Sequence, residues 1–132
     1  MTLVLDASAV VALATGEPGA EAFRAMVSGE LLIAPELVLS EAGIALWRKH
    51  RSGVISAADA ESAMADIPVL FDRLLPLSAL ARPALHLAIA HDHPVHDCFT
   101  VALARQEGLP LLTGDRRLAA RLGEAAEIRL LA

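Results

Sequence analysis

Short apolar runs alternate with longer amphipathic segments along most of the chain. The runs are four to six residues long, and most end at an acid, a proline or a turn, which is typical of buried strands. The pattern predicts five strands, at residues 2–6, 31–34, 73–77, 109–113 and 126–131. Helical spacing and end signals predict seven helices, at residues 8–15, 20–27, 36–51, 57–67, 80–91, 98–107 and 116–122.

The alternation of strands and helices predicts the fold class. Strand–helix–strand units favour a mostly parallel central sheet with helices on both faces. The sequence shows no internal repeat, low-complexity tract or interdomain linker. We therefore expect one α/β domain over residues 1–132, with Pro35 ending the second strand because proline disfavours strand interiors.

Two acids occupy the same position relative to predicted elements. Asp6 and Asp115 each follow an apolar strand and precede a helix. Either could simply cap its helix, because an Asp side chain accepts hydrogen bonds from first-turn amides. The carboxyl ends of parallel strands meet at one edge of a sheet, however, where ligands bind. The repeated context therefore also predicts a shared site.

Two further acids are candidates for that site. Glu41 falls on a helical stripe with Leu37, Ile44 and Ala45, and an acid there is costly to bury unless it is paired or binds a metal. It could instead lie at the solvent edge of a wider stripe. Asp97 opens the predicted helix 98–107, where a capping role is the simpler alternative.

The histidines and the single cysteine give weaker signals. His91, His93 and His96 surround Asp92 and Pro94, which favours an exposed turn over a zinc site, and no HExxH spacing is present. We expect Cys98 to be buried and inert, since no adjacent base is evident. The sequence has no GxxxxGK[ST] or GxGxxG motif, which would indicate nucleotide binding, and no GxSxG motif, which would indicate a serine nucleophile.

Composition narrows the function classes. The chain has 132 residues with a net charge of -5, 55% apolar residues and 3% aromatics. The acidic balance disfavours a sequence-reading DNA-binding protein, and the scarcity of aromatic residues disfavours base stacking. A nuclease stays possible, because carboxylates at a metal site are neutralised by the ion. No signal peptide or membrane-spanning run is evident, so we expect a cytoplasmic protein.

Three segments together carry a resemblance to a known family. LVLDASAVVAL at residues 3–13, LSEAGIAL at 39–46 and HDCFTVALARQEGLPLLTGDRRLA at 96–119 resemble the PIN-domain ribonucleases. The most similar group is the VapC-type toxins of toxin–antitoxin pairs. The last segment is the most specific, because it joins an acid-led helix to a strand and a TGD turn. His96 departs from the family pattern, in which a tyrosine is common before the third acid.

The resemblance implies a function and a set of site residues. It implies an endoribonuclease that depends on Mg²⁺ or Mn²⁺, inhibited by a cognate VapB-type antitoxin and assembled as a homodimer. The implied catalytic and metal-binding acids are Asp6, Glu41, Asp97 and Asp115, supported by the hydroxyls of Ser8 and Thr113. Arg116 is a candidate for guiding the phosphate backbone of the RNA. Carboxylates gathered at one point should repel one another and raise their pKa values without metal.

Two other functions fit parts of the sequence. A haloacid dehalogenase-like phosphatase would use Asp6 as an aspartyl nucleophile, but such enzymes have a second acid where this chain has Ser8. A catalytically silent module would use the acids only as helix caps and bind a protein through apolar surface. Metal affinity that depends on Asp6 and Asp97 would distinguish the nuclease from the silent module.

Overall fold

A computed structural model, which describes residues 1–131, shows a five-stranded sheet. All four strand pairings are parallel, and the strand order is β3-β2-β1-β4-β5. The strands are β1 (Thr2–Leu5), β2 (Leu31–Pro35), β3 (Arg73–Leu75), β4 (Leu111–Thr113) and β5 (Ile128–Leu130). The predicted parallel α/β architecture is confirmed.

Helices cover both faces of this sheet. They are α1 (Ala7–Thr15), α2 (Ala20–Val27), α3 (Leu37–Arg51), α4 (Ala57–Leu70), α5 (Ala81–His91), α6 (Val95–Glu107) and α7 (Arg116–Leu122), with a 3-10 turn at Leu77–Ala79. Along β1 the side chains alternate between two apolar layers. Leu3 and Leu5 pack with α1 to α4 on one face, and Val4 packs with α5 to α7 on the other. None of the helices within residues 1–131 is both long and apolar enough to span a membrane.

Several element boundaries lie a few residues from their predicted positions, and prolines stand at or near three of the boundaries. Pro35 is the last residue of β2 and pairs with Leu75, because the end of a strand does not need the N–H that proline lacks. Helix α4 continues through Pro68 to Leu70, so the Met64 carbonyl has no N–H donor four residues on, and the helix ends within one turn of the proline. Helix α6 begins at Val95 rather than at residue 98.

The earlier start of α6 changes the environment of Asp97. Pro94 stands at the helix boundary, and Asp97 is the third helical residue rather than the residue that opens the helix. The capping alternative for Asp97 is therefore wrong, and its side chain is available to other partners. A carboxylate in the first turn still interacts favourably with the positive end of the helix dipole.

The strand order places a crevice at the centre of the sheet. The chain winds outward from β1 to β3 on one side and from β4 to β5 on the other, so β1 and β4 flank the point where the strand order reverses. Ligands of open α/β sheets bind at the carboxyl ends of the strands at such a point. Asp6 and Asp115 follow these two strands.

Candidate active site

Asp6 lies at the bottom of the crevice and is 8% exposed. Its side chain caps α1, because Oδ1 accepts a hydrogen bond from the Ala9 amide at 3.1 Å. The same oxygen accepts a second bond from the Ser8 hydroxyl at 2.7 Å. The other oxygen accepts from the Thr113 hydroxyl. The capping role is therefore real, and it holds the carboxylate in one orientation at the end of β1.

Ser8 and Thr113 connect the ends of β1 and β4. Thr113 is fully buried, donates to Asp6 and accepts from the Asp115 amide at 2.9 Å. Ser8 donates to Asp6 and accepts from the Gly114 amide at 2.9 Å. The two hydroxyls predicted to support the site thus join the first and last acids through a continuous hydrogen-bond network.

We expect Thr113→Val to destabilise the protein by about 2 kcal/mol. Valine preserves the volume, but it leaves a buried Asp6 oxygen and the Asp115 amide without a hydrogen-bond partner. Urea unfolding checks this expectation, with Ser8→Ala as the comparison, since Ser8 is exposed and water can replace its hydroxyl. Equal losses in the two variants would contradict a special role for the buried threonine.

Asp115 lies across the crevice from Asp6. Its Oδ1 caps α7 by accepting from the amides of Arg117 at 2.9 Å and Leu118 at 3.1 Å. Capping uses only Oδ1, which leaves Oδ2 available at the crevice. The negative charge of Asp115 contributes to the raised pKa of Asp6, so the two carboxylates interact electrostatically.

Glu41 reaches the same crevice from α3, but the stripe on which its helical spacing placed it is not the buried face of the helix. The buried face of α3 consists of Val38, Ala42 and Leu46. Ile44, on the stripe assigned to Glu41, is 47% exposed. Glu41 therefore lies at the edge of the apolar face and is only partly buried. This is the alternative in which Glu41 stands at the solvent edge of a wider stripe.

Asp97 is held by a buried histidine. His93 is 6% exposed, and its Nε2 lies 2.8 Å from Asp97 Oδ2. An ionised carboxylate only accepts hydrogen bonds, so Nε2 donates. The expectation of an exposed turn is thus wrong for His93, whose ring is buried against Asp97. Its Nδ1 is buried and has no hydrogen-bond partner among the described residues.

A matched pair of variants tests whether His93 positions Asp97. We expect His93→Leu to weaken Mn²⁺ binding about 10- to 100-fold, because groups that orient a ligating carboxylate have effects of this size. His93→Gln can still donate to Asp97 and should recover much of the affinity. Isothermal titration with Mn²⁺ measures both. Wild-type affinity in His93→Leu would assign His93 to packing alone.

The four acids line one small cavity of about 120 Å³. Its lining residues are Asp6, Ala7, Ser8, Glu41, Asp97, Thr100, Asp115 and Leu118. Among the polar lining residues, the one that sequence reasoning did not assign to the site is Thr100, which is buried one turn after Asp97 on α6. The i, i+3 spacing from Asp97 was the signal that could have found it.

Burial and mutual repulsion raise the pKa values of two of these acids. Desolvation is the larger cause for both, and the nearby charges add to it. The pKa of Asp6 is raised despite three hydrogen bonds that lower it. The pKa of Glu41 rises from 4.5 to about 7, with contributions from the charges of Asp97 and Asp6. The predicted rise is confirmed for these two residues, with burial ahead of repulsion as its cause.

This donor set fits a hard divalent cation. The cavity presents carboxylate and hydroxyl oxygens, which Mg²⁺ and Mn²⁺ prefer. A cation bound there would relieve the electrostatic cost that raises the pKa of Glu41. His96 also approaches, because one ligand atom each of Glu41, His96 and Asp97 lie within 4.8 Å of one another.

Cys98 and Arg116, for which the sequence also gave predictions, both lie next to acids of the site. Cys98 is fully buried, and burial together with the charge of Asp97 raises the pKa of its thiol to about 11, which makes it inert as predicted. Arg116 is exposed at the start of α7, immediately after Asp115, and does not line the cavity. Its role in guiding RNA stays a prediction.

Comparison with known proteins gives consistent matches over nearly the whole chain. A family model described as the PIN domain matches residues 3–124. Ribonuclease VapC1 of Mycobacterium tuberculosis is 39% identical over 132 residues, covering 97% of this chain and 96% of that protein. Ribonuclease VapC3 of Pyrobaculum aerophilum is 35% identical over 122 residues, covering 90% of this chain and 93% of that protein.

A solved structure shares the fold. VapBC2 from Rickettsia felis, crystallised with a DNA fragment from its promoter, matches with a TM-score of 0.72. The match covers 100% of both chains at 12% sequence identity, so this similarity concerns the fold alone.

Proposed function

The chain belongs to the PIN-domain family and its VapC group, and we propose from that membership that it is a metal-dependent endoribonuclease. It hydrolyses RNA phosphodiester bonds as the toxin of a type II toxin–antitoxin pair. One observation carries the proposed site: four acids from distant parts of the sequence converge on one cavity at the centre of the sheet. Helix capping explains Asp6 and Asp115, but it explains neither Glu41 nor Asp97.

We assign the four acids different tasks in holding Mg²⁺ or Mn²⁺. Asp6 and Asp97 are direct ligands, because hydrogen bonds from Thr113 and His93 fix both carboxylates. Asp115 binds directly or through a water, using the oxygen that does not cap α7. Glu41 holds a second ion or orients a water, since it stands at the partly exposed edge of the cavity.

A cation held by these carboxylates would activate a water for attack on the phosphodiester and would offset negative charge on the phosphate in the transition state. The protein holds the oxygen ligands in place for this chemistry. Thr113 and Ser8 keep both oxygens of Asp6 from rotating, and His93 does the same for one oxygen of Asp97. Arg116, at the rim, provides local positive charge for the RNA backbone on an otherwise acidic protein.

The partners follow from the family and the composition. We propose a cognate VapB-type antitoxin that blocks the site, as the VapBC name of the matched complex indicates for that pair. We also propose a homodimer, which the 55% apolar composition favours. Exposed apolar side chains such as Trp47, Leu85 and Ile89 are available for such contacts.

Mapping of RNA ends tests the proposed activity. Purified protein is incubated with total RNA in Mg²⁺, in Mn²⁺ and in EDTA, and new ends are sequenced. We expect discrete new ends only when a divalent cation is present. Ends that persist in EDTA would contradict metal dependence, and no new ends with any RNA would favour the silent binding module. A phosphorylated Asp6 after exposure to phosphomonoesters would favour the phosphatase.

A further inference from the structure

We infer that His96 is a direct ligand of the cation in this site and that it shifts the preference of the site from Mg²⁺ toward Mn²⁺. The inference rests on the proposed function, because it assigns one more residue to the same metal site. It goes beyond the four acids, since an imidazole nitrogen changes the chemical class of cation that the site selects.

The geometry places His96 among the ligand atoms. Its Nε2 lies 3.3 Å from Asp97 Oδ1. Two neighbouring ligands of an octahedral ion are separated by about 3 Å when each bond is about 2.1 Å long. One ion can therefore touch both atoms, and a Glu41 carboxylate oxygen lies within the same 4.8 Å group, close enough to orient a water on that ion.

The two oxygens of Asp97 have different partners, which leaves Oδ1 available to bind an ion. Oδ2 accepts the hydrogen bond from buried His93, while Oδ1 faces His96. His93 thus orients Oδ1 toward the ring of His96. The side chain of His96 is 59% exposed and lies beside Asp97, which lines the cavity, so an ion can reach its nitrogen without opening the core.

Ligand chemistry then determines the preferred cation. Imidazole binds first-row transition ions well, whereas Mg²⁺ prefers oxygen ligands and keeps several waters. A set of carboxylates alone discriminates weakly between Mg²⁺ and Mn²⁺. Adding His96 to Glu41 and Asp97 should favour Mn²⁺.

Direct measurements of metal binding test this inference. Dissociation constants of Mn²⁺ and Mg²⁺ are measured at pH 8, where an ordinary histidine is neutral. The proteins are the wild type, His96→Gln and His86→Gln, which removes another exposed histidine from α5. Pulsed electron paramagnetic resonance of bound Mn²⁺, with ¹⁵N-labelled histidine, reports whether a histidine nitrogen is coordinated.

We expect the ratio of Mn²⁺ to Mg²⁺ affinity to fall at least about tenfold in His96→Gln and to stay unchanged in His86→Gln. The nitrogen coupling should be present in the wild type and absent in His96→Gln. An unchanged ratio, or a coupling that survives in His96→Gln, overturns the inference while metal-dependent cleavage still supports the proposed function. Failure of the wild type to bind either ion contradicts both.

Discussion

Replacing Asp6 by asparagine should lower the rate of metal-dependent RNA cleavage by at least about a thousandfold. A metal ligand contributes several kcal/mol to transition-state stabilisation, and about 4 kcal/mol corresponds to that factor. Asp6 is the most buried of the four acids and is centred between Thr113 and Ser8. No other described side chain can replace it at the bottom of the cavity.

The variant should remain folded, which makes the activity loss interpretable. The amide oxygen of asparagine can still accept from Ser8 and from the Ala9 amide. The amide nitrogen then faces Thr113, whose hydroxyl can accept that bond and donate toward Ser8, 3.4 Å away. Circular dichroism and urea unfolding check the fold, and RNA cleavage is measured on the same preparation.

Asp92→Asn is the matched control for Asp6→Asn. Asp92 is an exposed acid shortly before α6, and its left-handed backbone conformation is one that asparagine tolerates. The control removes the same charge close to the site without touching the cavity, so its activity should stay near that of the wild type. Substantial cleavage by folded Asp6→Asn would remove Asp6 from the catalytic set.

Glu41→Gln should separate activity from stability. We expect cleavage to fall about 10- to 100-fold, as for groups that orient a ligand or water at a metal site. Without metal, the same change should stabilise the protein near pH 8 by on the order of 2 kcal/mol, after allowance for the partial exposure of Glu41. Removing a charged group that is desolvated and faces Asp97 and Asp6 eliminates that electrostatic cost.

The pH dependence of folding stability follows from the direction in which the pKa of Glu41 is shifted. Because the folded pKa of Glu41 is raised from 4.5 to about 7, the unfolded chain releases this proton first as the pH rises. The contribution of Glu41 to stability is present below pH 4.5 and is lost by about pH 7. Asp6, whose pKa is also raised, contributes in the same direction.

Urea unfolding in EDTA between pH 5 and 8 measures this effect. The stability of the wild type should fall across that range, and the fall should be smaller in Glu41→Gln. Added Mn²⁺ should stabilise the wild type near pH 8 by mass action on the folded state. A large loss of stability in Glu41→Gln at all pH values would instead indicate that Glu41 has a structural partner.

The sequence predicts the parallel fold because its signals are local. Apolar runs that end in turn residues, and helices with clear ends, determine the strand–helix alternation without reference to the rest of the molecule. The same local context led to Asp6 and Asp115, since both follow buried strands. Parallel strands then dictate that the two acids share an edge.

The surroundings of Asp97 depend on tertiary contacts and could not be predicted in this way. The buried ring of His93 depends on how α5 and α6 pack, whereas the earlier start of α6 is marked locally by Pro94 at the helix boundary. The stripe that pointed to Glu41 is not the buried face of α3. Helical spacing groups residues on one face but does not show which face packs against the sheet. Its position at the cavity depends on the placement of α3 as a whole.

The central claim is that Asp6, Glu41, Asp97 and Asp115 hold the cation on which RNA cleavage depends. Anomalous diffraction from crystals grown with Mn²⁺ tests it most directly, because the manganese signal locates the ion independently of activity. We expect an anomalous peak in the cavity within bonding distance of carboxylate oxygens of Asp6 and Asp97. A peak elsewhere on the protein, with the cavity empty in crystals of an active preparation, would contradict the claim.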